Sequence, residues 1–196
     1  MMLFTVFNED KDEAIREAAR ALQKGMVVVC PTDTVYGLLA DARNKKAARR
    51  IFVVKGREQG KALPIFVSGM AQAKRLAKIS KAQEKKARAA WPGRVTLVFE
   101  SKGTLPKETG TTKKIGLRIP AHPVVLAIMK KTRAPLVGTS ANVSGLPSCR
   151  SSAEVLAQFA GRKNVPDIVL DAGLLPLRRP SKIIDITGKK PVVLRK

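Results

Sequence analysis

Cysteine is nearly absent from this chain. Cys30 and Cys149 are its two thiols in 196 residues, too few for a disulfide framework or a zinc site. Histidine occurs once, as His122, so catalysis on a protein-held metal cluster is set aside. Acidic side chains are scarce as well: 15 Asp and Glu face 38 Lys and Arg, a formal net charge of +23. Aromatic residues make up 4%, which argues against a surface that stacks nucleobases. No apolar run reaches the roughly 18 residues of a membrane span. Met1–Thr5 runs into acidic residues and lacks the basic and apolar regions of a secretory signal. Neither Gly-x-x-x-x-Gly-Lys-Ser/Thr nor Gly-x-Gly-x-x-Gly occurs, which removes the P-loop and the Rossmann fingerprint. These absences predict a soluble protein in a reducing, cytoplasmic setting, with no membrane contact and no structural metal.

An apolar content of 44% is enough for a sizeable core without disulfides, and the length predicts a single domain over residues 1–196. Helical spacing of Ala14, Ile15, Ala18, Ala21 and Leu22 after Asn8 and Asp10 predicts a first helix, which Gly25 can end in a left-handed conformation. Met26–Cys30 is a β-branched run of the kind that forms a buried strand, and its end delivers Pro31–Thr34 to a loop. Further helices are predicted at 44–54, 70–78, 81–90, 124–131 and 153–160. Strands are predicted at 63–67, 94–99, 115–119, 135–139, 168–170, 183–186 and 192–194. Interleaved strands and helices without repeats or linkers define an α/β domain with a twisted, mixed sheet flanked by helices.

The charge predicts attraction to polyanions through counterion release. Pairs such as Lys45-Lys46, Lys85-Lys86 and Lys130-Lys131 spread it along the chain, so a solvated basic surface and an RNA-binding face both remain open.

Lys55 and Arg57 flank Gly56, where backbone and ligand can approach closely. A guanidinium binds phosphate oxygens bidentately and an ammonium acts as a point charge, which suits a triphosphate; the competing reading is an ordinary surface Lys-x-Arg. Ser140 and Asn142 follow a predicted buried strand and offer donors and acceptors to a small polar substrate, although Ser144-Gly145 and Pro147 also fit plain turn chemistry. Thr32 and Thr34 can bond a ligand or cap their own loop, and Asp33 can hold a cation or make an Asx turn. His122, between Pro120 and Pro123, reads as a helix-entry residue close behind Arg118.

In order along the chain, Pro31-Thr32-Asp33-Thr34-Val35-Tyr36-Gly37-Leu38, Lys55-Gly56-Arg57, Trp91-Pro92-Gly93, Arg118-Ile119-Pro120-Ala121-His122-Pro123, Ser140-Ala141-Asn142-Val143-Ser144-Gly145 and Pro180-Ser181 resemble the YrdC-like family of threonylcarbamoyl-AMP synthases, in its short form. The resemblance runs from about Gly25 to Arg195. It implies a basic concave cavity on the sheet and a nucleotidyl transfer. L-threonine and bicarbonate give N-carboxythreonine, which attacks ATP to form threonylcarbamoyl-AMP and pyrophosphate for the N6-threonylcarbamoyladenosine of tRNA. Magnesium accompanies ATP, and a downstream tRNA threonylcarbamoyl transferase complex takes the product. On the same resemblance Lys55, Arg57, Lys61, Arg118, Asn142, Arg150 and Arg195 contact the nucleotide. Thr32, His122, Ser140 and Ser181 contact threonine, and Lys55, Arg57, Ser140 and Asn142 carry the catalysis.

Three positions depart from the family's usual pattern: Arg94 in place of a second proline, Ala172 between Asp171 and Gly173, and Lys182 where threonine often follows Ser181. A competing expectation is a double-stranded RNA or ribosomal RNA binding protein of the same fold, acting in ribosome or tRNA maturation. A third, a carbamoyl-transfer module of hydrogenase maturation, lacks its expected companion regions.

Overall fold

The computed structural model describes residues 1–6 and 11–196; the helix-start reading at Asn8 and Asp10 lies outside them. The elements are β1 (Met2–Thr5), α1 (Lys11–Gln23), β2 (Val28–Cys30), β3 (Gly37–Asp41), α2 (Lys45–Lys55), β4 (Ile65–Phe66), α3 (Met70–Leu76), β5 (Ala77–Lys78) and α4 (Lys81–Ala90), followed by β6 (Val95–Ser101), a 3-10 turn (Lys107–Thr109), β7 (Lys114–Arg118), α5 (Pro123–Thr132), β8 (Leu136–Ser140), α6 (Ser152–Phe159), β9 (Ile168–Asp171), β10 (Lys182–Asp185) and β11 (Val192–Arg195). They build one mixed sheet in the order β1-β9-β2-β3-β8-β4-β7-β6-β10-β11, with β5 paired to the far end of β6. Parallel pairs (β1 with β9, β2 with β9, β4 with β7, β6 with β10) alternate with antiparallel ones.

Strand alternation sorts the core into two faces. Val29, Leu38, Ala40, Ile65, Leu97, Leu117, Val137 and Val169 turn to one side, against Ile51 and Phe52 of α2 and Val155 and Phe159 of α6. Val28, Cys30, Leu39, Leu136, Ile168 and Leu170 turn to the other, against Ile15, Ala18 and Leu22 of α1 and Val125, Ile128 and Met129 of α5. The predicted inward stripe of α1 is buried, and Gly25 takes φ +79 behind it. Helices α1 and α5 pack on this second face against residues of β2, β3, β8 and β9, and the cleft opens at the ends of β3 and β8 and along β4 and β7, around Gly37, Phe66, Arg118 and Ser140.

Local chemistry sets the edges of the elements. Asn44 caps α2 by accepting from the Lys46 and Ala47 amides, and Gly56 ends it in the left-handed region, which makes Lys55 its last residue. Ser80 and Gln83 close a capping box on α4. Three strands went unread in the sequence. Gly37–Asp41, for which the sequence pattern predicts no element, is strand β3; Ala77–Lys78, expected as helix, pairs with Ser101 and Glu100; and Met2–Thr5 pairs with β9.

Candidate active site

A cleft of about 90 Å3 is lined by Thr32, Gly37, Phe66, Arg118, Ser140 and Arg195, among others. Its floor is made of small residues. A Cβ on Gly138 would come within 2.5 Å of the Phe66 ring, and one on Gly116 would lie 3.2 Å from Thr96 Cγ2. Gly116 and Arg118, two apart on β7, share this face with Thr96 and Val98 of β6. A second depression of about 240 Å3 adjoins it across Thr32 and Thr34, walled by Asp33, His122 and Arg178.

The Ser140–Asn142 turn is pinned to the end of α2. Lys55 is 3% exposed, and its Nζ donates to the Ser140 carbonyl at 2.5 Å, the Asn142 carbonyl at 2.8 Å and Asn142 Oδ1 at 3.2 Å. All three ammonium protons are thus occupied within the chain. Burial lowers the Lys55 pKa to about 8, and the neighbouring Arg57 adds to the fall. Asn142 is equally committed, its Nδ2 donating to the Val143 and Leu146 carbonyls. Ser140 presents its hydroxyl at the cleft wall.

Two guanidiniums, Arg118 and Arg195, line the cleft, and the charge of a third, Arg57, acts on Arg195. Arg118, with a side chain 4% exposed, pairs with Asp33 Oδ1 at 2.6 Å, donates Nε to the Gly93 carbonyl and lies 5.5 Å from the Phe66 ring centroid. Burial lowers its pKa, while the Asp33 carboxylate opposes the fall. Arg195 donates to the Ser181 carbonyl at 2.6 and 2.9 Å and to Ser181 Oγ at 3.0 Å. Burial and the charges of Arg118 and Arg57 depress its pKa, so these groups feel one another's fields. Arg57 makes one long contact, 3.4 Å to the Ala62 carbonyl, and burial lowers its pKa too. Like charges gathered around one carboxylate are the arrangement an anion completes.

At the other end, Thr32 is buried with its hydroxyl donating to the Val35 carbonyl and accepting from the Thr34 amide. Among the described residues two buried side-chain polar atoms have no partner, Asp33 Oδ2 and His122 Nδ1. Burial lowers the His122 pKa, so the ring is neutral near pH 7. His122 is the residue before Pro123 at the start of α5, as its position between prolines predicts, but its side chain caps no amide. Ser181 is buried and meets Thr96 Oγ1 at 3.2 Å.

Not every predicted contact converges. Lys61 is exposed and paired with Glu58 at 3.1 Å. Arg150 grips the Leu175 carbonyl through Nε and Nη2 at 3.1 and 2.8 Å, holding a strap over 173–181 beside the cleft. The Asp33–Arg118 pair escaped sequence reasoning because 85 residues separate its members; the motif neighbours Thr32 and His122 were its available signal. The departures find places as well. Ala172 contributes its backbone amide, which donates to the Tyr36 hydroxyl. Lys182 alternates away from buried Ser181 and is exposed on the opposite face.

A cation-lined cleft beside a hydroxyl-lined depression on a mixed sheet is the arrangement of this α/β protein. The chain belongs to the Sua5/YciO/YrdC family, whose profile, described as "Telomere recombination", matches residues 20–196. It is 37% identical over 183 residues to the threonylcarbamoyl-AMP synthase of Pyrococcus abyssi, covering 92% of this chain and 53% of that protein. It is 33% identical over 187 residues to the synthase of Klebsiella pneumoniae, covering 93% and 96%. The crystal structure of P. abyssi Sua5 complexed with L-threonine superposes with a TM-score of 0.88 at 35% identity, over 99% of this chain and 56% of that one. The chain thus spans about half the length of the P. abyssi and Bacillus subtilis synthases.

Proposed function

We propose that the chain, residues 1–196 forming one domain, is a threonylcarbamoyl-AMP synthase that joins L-threonine, bicarbonate and ATP. The observation that carries this reading is that Arg118 and Arg195 line one cleft with Ser140 and Ser181, beside a depression holding the unpartnered polar atoms of Asp33 and His122. The synthase names of the relatives and the L-threonine in the P. abyssi Sua5 structure support it.

In this reading the deprotonated amino nitrogen of threonine attacks the bicarbonate carbon, and one bicarbonate oxygen leaves as water with a proton from the nitrogen, giving N-carboxythreonine. One carbamate oxygen attacks the α-phosphorus of ATP, and the bond to the bridging oxygen breaks with its electron pair leaving on pyrophosphate. Arg57, Arg118 and Arg195 neutralise the phosphates as charge moves to the leaving group. Lys61 and Arg150 reach the nucleotide from the rim, Arg150 by exchanging the Leu175 carbonyl for a phosphate oxygen. Thr32, Ser140, Ser181 and neutral His122 hold threonine, whose ammonium suits the free oxygen of Asp33. Lys55 and Asn142 act as positioning residues that fix Ser140, and the protein supplies alignment more than a strong base.

Magnesium enters with the ATP phosphates and offsets their charge. Asp33 is the one carboxylate lining the cleft and its depression among the described residues, and no cluster of three metal-ligating side chains occurs among them.

The product would pass to a tRNA threonylcarbamoyl transferase complex in the cytoplasm. Among the described residues no helix is long and apolar enough to cross a membrane. RNA contact through the basic surface fits β5 and α4, where Lys78, Lys81, Lys85 and Lys86 are exposed and the one acid between Lys74 and Arg88, Glu84, is bound by both at 2.6 Å. Equal, steeply salt-dependent binding to tRNA and unrelated RNA would reduce this contact to bulk electrostatics.

The deciding assay follows pyrophosphate release with threonine and bicarbonate each present or omitted, alongside mass detection of the adenylate. Release that needs both is expected; a folded, ATP-binding protein that releases none overturns the reading and favours an RNA-binding role.

A further inference from the structure

Arg94 stands where the family pattern has a second proline, and its surroundings give it a job. It follows Gly93, whose carbonyl accepts Arg118 Nε at 2.9 Å. Its own carbonyl accepts from the Lys182 amide at 3.0 Å, which continues the parallel register of Lys182 with Val95 and sets Arg94 beside Ser181. Arg94 sits in the bend just before β6, and continuing the strand's alternation by one residue puts it on the side of Thr96, whose hydroxyl meets Ser181 Oγ at 3.2 Å. Lys182 falls with Val95 on the opposite side. Arg94 is exposed and has no acidic partner among the described residues. Its charge reaches the cleft, since it helps depress the Arg118 pKa after burial.

We propose that Arg94 adds a further guanidinium to the cleft and forms, with Arg118 and Arg195, a subsite for the polyphosphate tail of the nucleotide and for the released pyrophosphate. This rests on the synthase reading for the identity of the ligand, but the subsite itself is defined by charge and geometry. A planar guanidinium binds two phosphate oxygens at once, and this one is carried by backbone that lies beside Ser181, a lining residue of the cleft. The side chain that replaces the proline thereby changes which anions the cleft prefers, strengthening the hold on chains of two or three phosphates over a single one.

Inorganic tripolyphosphate, pyrophosphate and AMP are titrated by calorimetry into wild type, Arg94→Ala, Arg94→Lys and Lys182→Ala, with thermal unfolding confirming that each variant is folded. Arg94→Ala is expected to weaken tripolyphosphate about tenfold, the range of one lost charged hydrogen bond, and to leave AMP within about twofold. Arg94→Lys should recover part of the loss. Lys182→Ala removes an equal charge from the other face and should match wild type. Equal losses in the Ala variants at 94 and 182 would reduce the effect to net charge and overturn the subsite, as would an Arg94→Ala titration identical to wild type or a wild type that ignores tripolyphosphate. The two readings fail separately. Specific tripolyphosphate loss without any pyrophosphate release from ATP sinks the synthase and leaves the subsite, whereas release unaffected by Arg94→Ala, with unchanged tripolyphosphate affinity, does the reverse.

Discussion

One face of the sheet is two surfaces. From β1 to β8 it carries Val28, Leu39, Leu136, Ile168 and Leu170 and is sealed by α1 and α5. From β7 to β10 the same pleat carries Arg118, Gly116, Thr96 and Ser181, and Arg118 and Ser181 line the cleft. The backbone is continuous between them, so side-chain choice alone decides which half becomes core and which becomes site. The covered half gains from apolar area removed from water. The cleft half holds charges that its own chain incompletely neutralises, an arrangement that ligand binding can repay.

Arg118→Ala should blur that contrast most. Losing one member of a buried ion pair strands Asp33 and costs about 3–5 kcal/mol, along with pyrophosphate release; adding Asp33→Ala should return part of the stability, read in urea unfolding, without returning activity. A stability loss no greater for Arg118→Ala than for the double variant would deny the coupling. Leu22→Ala, in the covered half, should cost about 2–5 kcal/mol by leaving a cavity while the folded fraction keeps its turnover, so reduced turnover per folded molecule would mean the halves are not separable. Arg57→Ala should do the opposite, weakening ATP by about 1.5–3 kcal/mol with little change in unfolding midpoint. The smallest effect is one of pH. The Lys55 pKa falls from 10.5 unfolded to about 8 folded, so between those values the unfolded chain binds more protons and the contribution of this residue to stability rises with pH. Wild type should therefore gain on Lys55→Met between pH 8 and 10, while threonine affinity falls as the pin on Ser140 loses its charge; a difference between the two proteins that stays flat with pH would count against that shift.

The covered half was legible in the sequence, because the Ala14 to Leu22 stripe and the run ending at Cys30 each follow a local period. The cleft was legible as motifs: Pro31–Leu38, Lys55–Arg57 and Ser140–Gly145 do come to one place. Their division of labour was not. The ammonium of Lys55 faces carbonyls, a matter of tertiary distance that spacing does not encode. Strand β3 hid because Gly37–Asp41 follows directly on a motif that reads as a loop, and β1 hid because its partner lies more than 160 residues away. Lys182, the departure most at odds with the family pattern, became ordinary once strand alternation turned it from Ser181.

The sheet order also has a consequence in time. β1 joins β9 and β10 joins β6 across long stretches of chain, while β11 brings Arg195 against Ser181 by a local antiparallel pairing with β10. Thr32, Arg118, Ser140, Ser181 and Arg195 therefore share a cleft only when the longest loops of the chain have closed, the slowest class of contact in folding. A partly folded chain can hold native helices and hairpins and still have no anion site, so ligand binding would report the final step of assembly and no earlier one.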